Sequence, residues 1–210
     1  MTTTVPGLFA PGELAPTADL VVPVAGLRII GLDLSLTSTG VALPDGTTYR
    51  IKTRSGDGDR RLLVIRRSIR EALAAHRPHV AVVEDLPTHA KGAGITATVH
   101  GVVKCELLDA GVPYGFVVPA TLKKFASDNG NADKPEMAAA AYLAAGAEFP
   151  GDLTPSGKGG DMCDAWWLRA AGHDALGQPL FAMPQAQRDR LRKIEWPEAI
   201  LQRYVVGVPR

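Results

Sequence analysis

Four carboxylates stand where a buried sheet could gather them. Asp33 closes the apolar run Leu-Arg-Ile-Ile-Gly-Leu of residues 27–32, and Glu84 closes Val-Ala-Val-Val at 80–83. Both runs read as buried strands ending in an acid. Ligands of open α/β sheets bind beyond the carboxyl ends of the strands, so two such acids converge if their strands are neighbours. Asp161 and Asp164 lie three residues apart at the start of a helical stretch, a spacing that turns both to one helix face. No cation sits beside these acids in sequence. Four gathered carboxylates would repel one another, and a hard, oxygen-preferring divalent ion such as Mg²⁺ or Mn²⁺ relieves that repulsion. Two such ions about 3.5–4 Å apart support phosphodiester hydrolysis.

Taken singly, each acid has a plainer reading. Asp33 is as well read as a strand terminator, Glu84 beside Asp85 as a solvated strand end, and Asp161 with Asp164 as a helix cap and its first-turn partner. Only the joint pattern favours a site.

The elements needed to position these acids are legible in outline. Residues 40–43 and 47–51 flank Pro44-Asp45-Gly46 as a hairpin. Leu62, Ile65, Ile69 and Leu73 repeat at helical spacing over 61–76, and Pro78 stops the helix. A second amphipathic helix is expected over 95–108, a strand over 114–118, and a short helix from Pro119 to residue 125. Asp133 with Glu136 forms a capping-box pattern before an Ala-rich helix. Residues 154–160 read as a loop and 161–171 as a last core helix. This order predicts an α/β fold: an antiparallel meander joined to strand–helix units, giving a mixed sheet with helices on both faces. Residues 1–26 are expected as an irregular arm, docked through Leu20, Val21 and Val22. Residues 27–178 are expected as the domain, and 179–210 as a basic tail carrying Arg188, Arg190, Arg192 and Lys193.

Composition narrows the class. With 210 residues, 46% apolar and 21% charged, the chain suits one globular domain. Its net charge of +1 lends no support to nucleic-acid binding, so only local clusters could. Cys105 and Cys163 have neither zinc-site nor disulfide-framework spacing. With no secretory leader or membrane-length apolar run, a reducing cytoplasm is expected, that of a host cell if a phage encodes the chain. The basic run of 50–70 (Arg66, Arg67 and Arg70 among it) reads at least as well as a solvated face as a DNA path, and Tyr142, Trp166 and Trp167 read as core. His89 reads as a surface residue before a proton carrier, and the glycine-rich loops at 91–94 and 156–160 as linkers that could order on substrate.

Several motifs resemble one family. Gly-Leu-Asp-Leu-Ser-Leu-Thr-Ser-Thr-Gly-Val-Ala at 31–42 looks like the first-strand motif of RuvC-type Holliday-junction resolvases, and Val83-Glu84 like their second acidic position. Lys123-Lys124, running on to Gly130-Asn-Ala-Asp-Lys134, is similar to their lysine segment, and Asp161-Met-Cys-Asp164-Ala165 to their closing Asp-x-x-Asp-Ala. The resemblance spans residues 28–172 in unbroken order. It implies an RNase H-like fold with a five-stranded mixed sheet, a homodimer, and metal-dependent paired nicking of four-way DNA junctions. It further implies Asp33, Glu84, Asp161 and Asp164 as catalytic metal ligands for Mg²⁺ (Mn²⁺ substituting), two ions per site, and Lys123, Lys124 and Lys134 as DNA contacts. The segment after Glu84, Asp-Leu-Pro-Thr-His, lacks the aromatic wedge of the best-known members. The alternatives are a nuclease of the same fold acting on forks or RNA·DNA hybrids, a non-catalytic junction binder, and an actin-like or sugar-kinase-like phosphotransferase, whose phosphate loop residues 33–40 loosely echo.

Overall fold

The computed structural model describes residues 26–86, 93–194, 196, 197 and 200. Residues 1–25 of the arm expected over 1–26, His89, and Lys91 and Gly92 of the 91–94 loop lie outside the described residues. Strands β1 (Ile29–Asp33), β2 (Ser38–Ala42), β3 (Thr48–Lys52), β4 (Val80–Glu84) and β5 (Tyr114–Val117) form one sheet in the order β3-β2-β1-β4-β5. The pairs β1–β2 and β2–β3 are antiparallel, while β1–β4 and β4–β5 are parallel. This is the mixed five-stranded sheet with an antiparallel meander that the sequence predicts. The helices are α1 (Arg60–His76), α2 (Ala93–Asp109), α3 (Pro119–Ser127), α4 (Lys134–Ala145), α5 (Asp161–Ala175) and the short α6 (Gln185–Arg188), followed by a 3-10 turn, Asp189–Lys193. No helix among the described residues is long and apolar enough to cross a membrane.

Strand alternation decides which residues face the site. Ile30, Leu32, Val41, Ala81 and Val83 join Ile65, Ile69 and Leu73 of α1 and Val99, Val103 and Leu107 of α2 in the core on one sheet face. Ile29, Val80, Val82 and Val117 join α3, α4 and α5 in the core on the other. Successive strand residues point to opposite faces. Asp33, two and four residues beyond Gly31 and Ile29, therefore falls on the α5 face, and so does Glu84 after Val80 and Val82.

Two glycines let α5 lie directly on the sheet. A Cβ at Gly31 would stand 2.1 Å from the Ala165 carbonyl oxygen, and one at Gly40 1.9 Å from that of Asp161. Neither neighbour can yield, because both are helix backbone.

Three expectations change. The described residues past 178 (179–194, 196, 197 and 200) pack on the domain instead of trailing as a basic tail. Leu191, Ile194 and Ile200 enter the α5-side core, Trp196 fills the space over Gly115, and Arg188 pairs with Asp174 at 3.0 Å. Tyr142 is 58% exposed, whereas Trp166 and Trp167 are core as expected, Trp167 donating its indole N–H to the Met137 carbonyl. Arg66 and Arg70 both bind the buried Glu106 of α2, at 2.6 and 2.7 Å, so they clamp two helices together. Residues 154–160 form a loop as expected, closed as a tight turn with Thr154 N–H donating to the Lys158 carbonyl and a bridge between Leu153 and Gly159.

Gly31→Ala is expected to destabilise the fold by about 3 kcal/mol through overpacking against backbone. At about 2–4 °C per kcal/mol for a chain of this size, that lowers Tm by roughly 6–12 °C. Gly56→Ala, with nothing within 4 Å of the new Cβ, should leave Tm nearly unchanged. Thermal melts of the two variants check this.

Candidate metal and nucleic-acid site

Asp33 and Glu84 stand side by side at the carboxyl ends of adjacent parallel strands. The register pairs Leu32 with Val83, so the acids are the next residue along each strand. The first turn of α5 crosses above them. Asp164 is buried there, and Asp161 is half-buried and accepts a 2.6 Å hydrogen bond from the Ser38 hydroxyl of β2. The structure thus brings all four sequence-designated acids to one end of the sheet. Ser38 is a further member that sequence pattern did not single out. Its position two before Gly40 on the α5 face was the available signal.

Burial and mutual repulsion strain this cluster. Burial raises the Asp33 carboxyl well above the usual range, and Glu84 and Asp164 push it further. Burial, then the Asp164 charge, lifts Glu84 to about 7, with the charge of Lys134 opposing. Asp164 is also raised, by burial first, with the charge of Lys134 opposing.

Lys134 is the local counter-ion. Its ammonium donates to Asp164 Oδ2, and its side chain is 34% exposed. It occupies the first position of α4, where the helix dipole disfavours a cation. The capping box holds it there: the Asp133 carboxylate accepts from Glu136 N–H at 2.9 Å, and the Glu136 carboxylate accepts from Asp133 N–H at 2.8 Å. Burial works to lower the Lys134 pKa, but Asp164, Asp33 and Glu84 outweigh it and hold the amine above the ordinary lysine range. The absence of a cation in the neighbouring sequence is therefore made good by the fold.

The other two lysines separate. Lys123 of α3 is half-buried, and its charge reaches Glu84 and Asp164. Lys124 is exposed and lays its stem along Gly130, where a Cβ would meet its Cε at 2.8 Å.

The raised carboxyls fix the sign of a pH effect. A carboxyl with a raised folded-state pKa contributes stability that is complete below its unfolded value and lost as pH rises through the folded one. Without divalent ions, Tm should therefore fall between pH 5 and 8, with Glu84 titrating near 7. Mg²⁺ at pH 8 should reverse the fall, and Glu84→Gln should flatten it, each kcal/mol relieved raising Tm by about 2–4 °C. Calorimetry across that range checks it; a flat profile in wild type contradicts the charge strain.

Comparison with known proteins points to one family. The model of the family described as crossover junction endodeoxyribonuclease RuvC matches residues 25–143, which include Asp33, Glu84 and all three lysines but not Asp161 or Asp164. The enzyme of that name from Saccharopolyspora erythraea is 30% identical over 123 residues, covering 53% of this chain and 62% of the relative. The one from Ruegeria pomeroyi is 30% identical over 149 residues, covering 66% of this chain and 86% of the relative. Matched stretches thus span from about three fifths of these relatives' length upward. The Thermus thermophilus RuvC structure is similar with a TM-score of 0.58 at 22% identity, covering 72% of this chain and 98% of that one. The T. thermophilus protein in complex with Holliday junction substrate gives 0.57 at 22% identity, covering 68% and 90%. These likenesses support the RNase H-like expectation for the fold. The chain belongs to the RuvC family of crossover junction endodeoxyribonucleases.

Proposed function

We propose that this protein is a structure-selective endodeoxyribonuclease that resolves four-way (Holliday) DNA junctions by paired, metal-dependent phosphodiester hydrolysis. The observation that carries this reading is the placement of Asp33 and Glu84 on adjacent parallel strands beneath Asp164, with like charge buried against like charge. Its family and the junction-bound relative support the substrate class.

The donors fit a hard divalent cation, since all are carboxylate oxygens. Among the described residues, no three acidic, histidine or cysteine groups already converge on one point, and the Lys134 ammonium sits against Asp164 instead. We assign Asp33, Glu84, Asp161 and Asp164 as ligands for Mg²⁺, with Mn²⁺ able to substitute and two ions per site. Bound there, the metal would supply an activated water and stabilise the leaving oxygen. The chain's own residues do the rest. Ser38 fixes the orientation of Asp161. Lys134 exchanges its carboxylate partner for a phosphate oxygen of the substrate. Lys123 adds positive charge beside the reacting phosphate, and Lys124 holds the backbone further out. The site of action is the cytoplasm.

Paired nicks on opposed strands require two active sites, which a two-fold homodimer provides. The sequence offers the 95–108 helix either as the homodimer interface, with Val99 exposed in it, or as a helix packed on its own sheet, and α2 shows two faces. Val99, Val103 and Leu107 are buried in their own domain, so Val99 is core. The outward face carries Ile95 at 58% exposure, Gly101, Cys105 and Leu108 at 66%, with Val102 half-buried between. This face is the proposed interface. The lack of an aromatic in residues 85–89 favours one second reading, cleavage of forks or RNA·DNA hybrids, and matched labelled substrates with Mg²⁺ separate the two.

Asp33→Asn, Glu84→Gln and Asp164→Asn should each reduce junction cleavage by at least about 10²-fold while leaving junction binding intact, since each keeps shape and removes a charge a metal needs. Gel-resolved cleavage alongside binding assays in Ca²⁺ checks this, and a near-normal rate for Asp33→Asn contradicts the assignment. Lys123→Ala with Lys124→Ala should weaken binding and flatten its log–log salt slope by roughly 0.9 for each phosphate no longer neutralised. An unchanged slope makes both lysines structural. Leu108→Glu should give a folded monomer in sedimentation, limited to single nicks.

A further inference from the structure

The helix that carries Asp161 and Asp164 has no cap of its own. Gly160 stands at its N-cap with φ 89, and a side chain there would collide with Lys134, whose Cδ lies 2.6 Å from the would-be Cβ. Lys134 must pass over this point to reach Asp164. A serine, threonine or aspartate at the cap would block that route, so the free N–H groups of the first turn need an acceptor from elsewhere.

Asp152 supplies it. Its carboxylate is 1% exposed and accepts from the N–H of Met162 at 3.2 Å and of Cys163 at 3.1 Å, the second and third residues of α5. Its own carbonyl accepts from Gly160 N–H at 3.3 Å. Arg50 holds Asp152 in turn. The guanidinium donates to the Gly151 carbonyl at 2.6 Å and to the Asp152 carbonyl at 3.2 Å, and lies 3.6 Å from the carboxylate. Arg50 sits on β3 opposite Gly40 of β2, the residue under the backbone of Asp161. Arg50 and Asp152 thus tie the edge of the sheet to the first turn of α5, across the strand that carries Ser38.

We propose that Asp152, locked by Arg50, is a positioning residue of the nuclease site: a cap supplied from a distant loop that sets where Asp161 and Asp164 stand relative to Asp33 and Glu84. It touches none of the reacting atoms. It acts by fixing the turn on which two of the four acids ride, and its negative charge at the helix N-terminus balances the dipole there. This inference rests on the metal reading of the four acids for its functional consequence, and on hydrogen bonds alone for the cap.

The test uses the full chain with Asp152→Ala, Asp152→Asn, Arg50→Lys and, as a control for lost stability, Ile69→Val in the core on the other sheet face. Two readouts are taken well below Tm: amide hydrogen exchange of Met162 and Cys163, and Mn²⁺ affinity without DNA, from free Mn²⁺ counted by electron paramagnetic resonance. Asp152→Ala should speed exchange at those amides and weaken Mn²⁺ binding by about 10-fold, as loss of a residue supporting metal ligands does. Asp152→Asn, which keeps one acceptor oxygen, should recover part of both, and Ile69→Val should change neither. If Asp152→Ala does not fold, the Asn and Arg50→Lys variants decide, each with a smaller shift in the same direction. Wild-type exchange and Mn²⁺ affinity in the folded Asp152 variants overturn the proposal. A wild-type chain that binds no Mn²⁺ counts against the metal reading and overturns the positioning role with it, while the exchange rates still judge the cap.

Discussion

Burying like charge beside like charge is costly, and Asp33, Glu84 and Asp164 do this at the end of a sheet where little water reaches. One ammonium, that of Lys134, partly offsets the repulsion. Much of the surrounding structure follows from holding this unfavourable cluster together. The capping box of α4 keeps a lysine at a helix start where the dipole opposes it. Gly160 leaves room for that lysine, and Asp152 provides the cap that Gly160 lacks. A site held in this state is prepared for divalent cations, because each ion that enters relieves repulsion the fold has already accepted.

The second constraint is closeness. Asp161 and Asp164 reach the strand ends only because α5 lies on the backbone of β1 and β2, and Gly31 and Gly40 make that approach possible. The aromatic cluster of Phe125, Trp166, Trp167 and Phe181 fills the space further down the same helix. The helix is thus fixed at one end by backbone contact and along its length by packing, leaving its first turn as the part whose position the Asp152 cap decides.

Local pattern carried much of this into the sequence. The apolar runs ending in Asp33 and Glu84 are readable as buried strands, and strand parity then sends both acids to one face, although each acid alone also reads as a plain strand end. The capping box at Asp133 and Glu136 is readable because its residues are neighbours. The remaining features depend on contacts between distant segments. Lys134 meets Asp164 thirty residues on, Asp152 caps a helix from outside it, Arg66 and Arg70 find Glu106 across two helices, and Trp196 covers Gly115. No period or spacing encodes such pairs. The buried side of α2 shows the same limit: Val99 and Ile95 are equally apolar in sequence, and only the packing of α1 and the sheet decides which one faces outward.

Everything turns on whether divalent ions take the place now held by the Lys134 ammonium among these acids. Anomalous diffraction from crystals soaked in Mn²⁺ tests this most directly. Two peaks about 3.5–4 Å apart are expected, ligated by oxygens of Asp33, Glu84 and the α5 acids, with the Lys134 amine withdrawn from Asp164. An intact Lys134–Asp164 pair with no peak at saturating Mn²⁺ would contradict it.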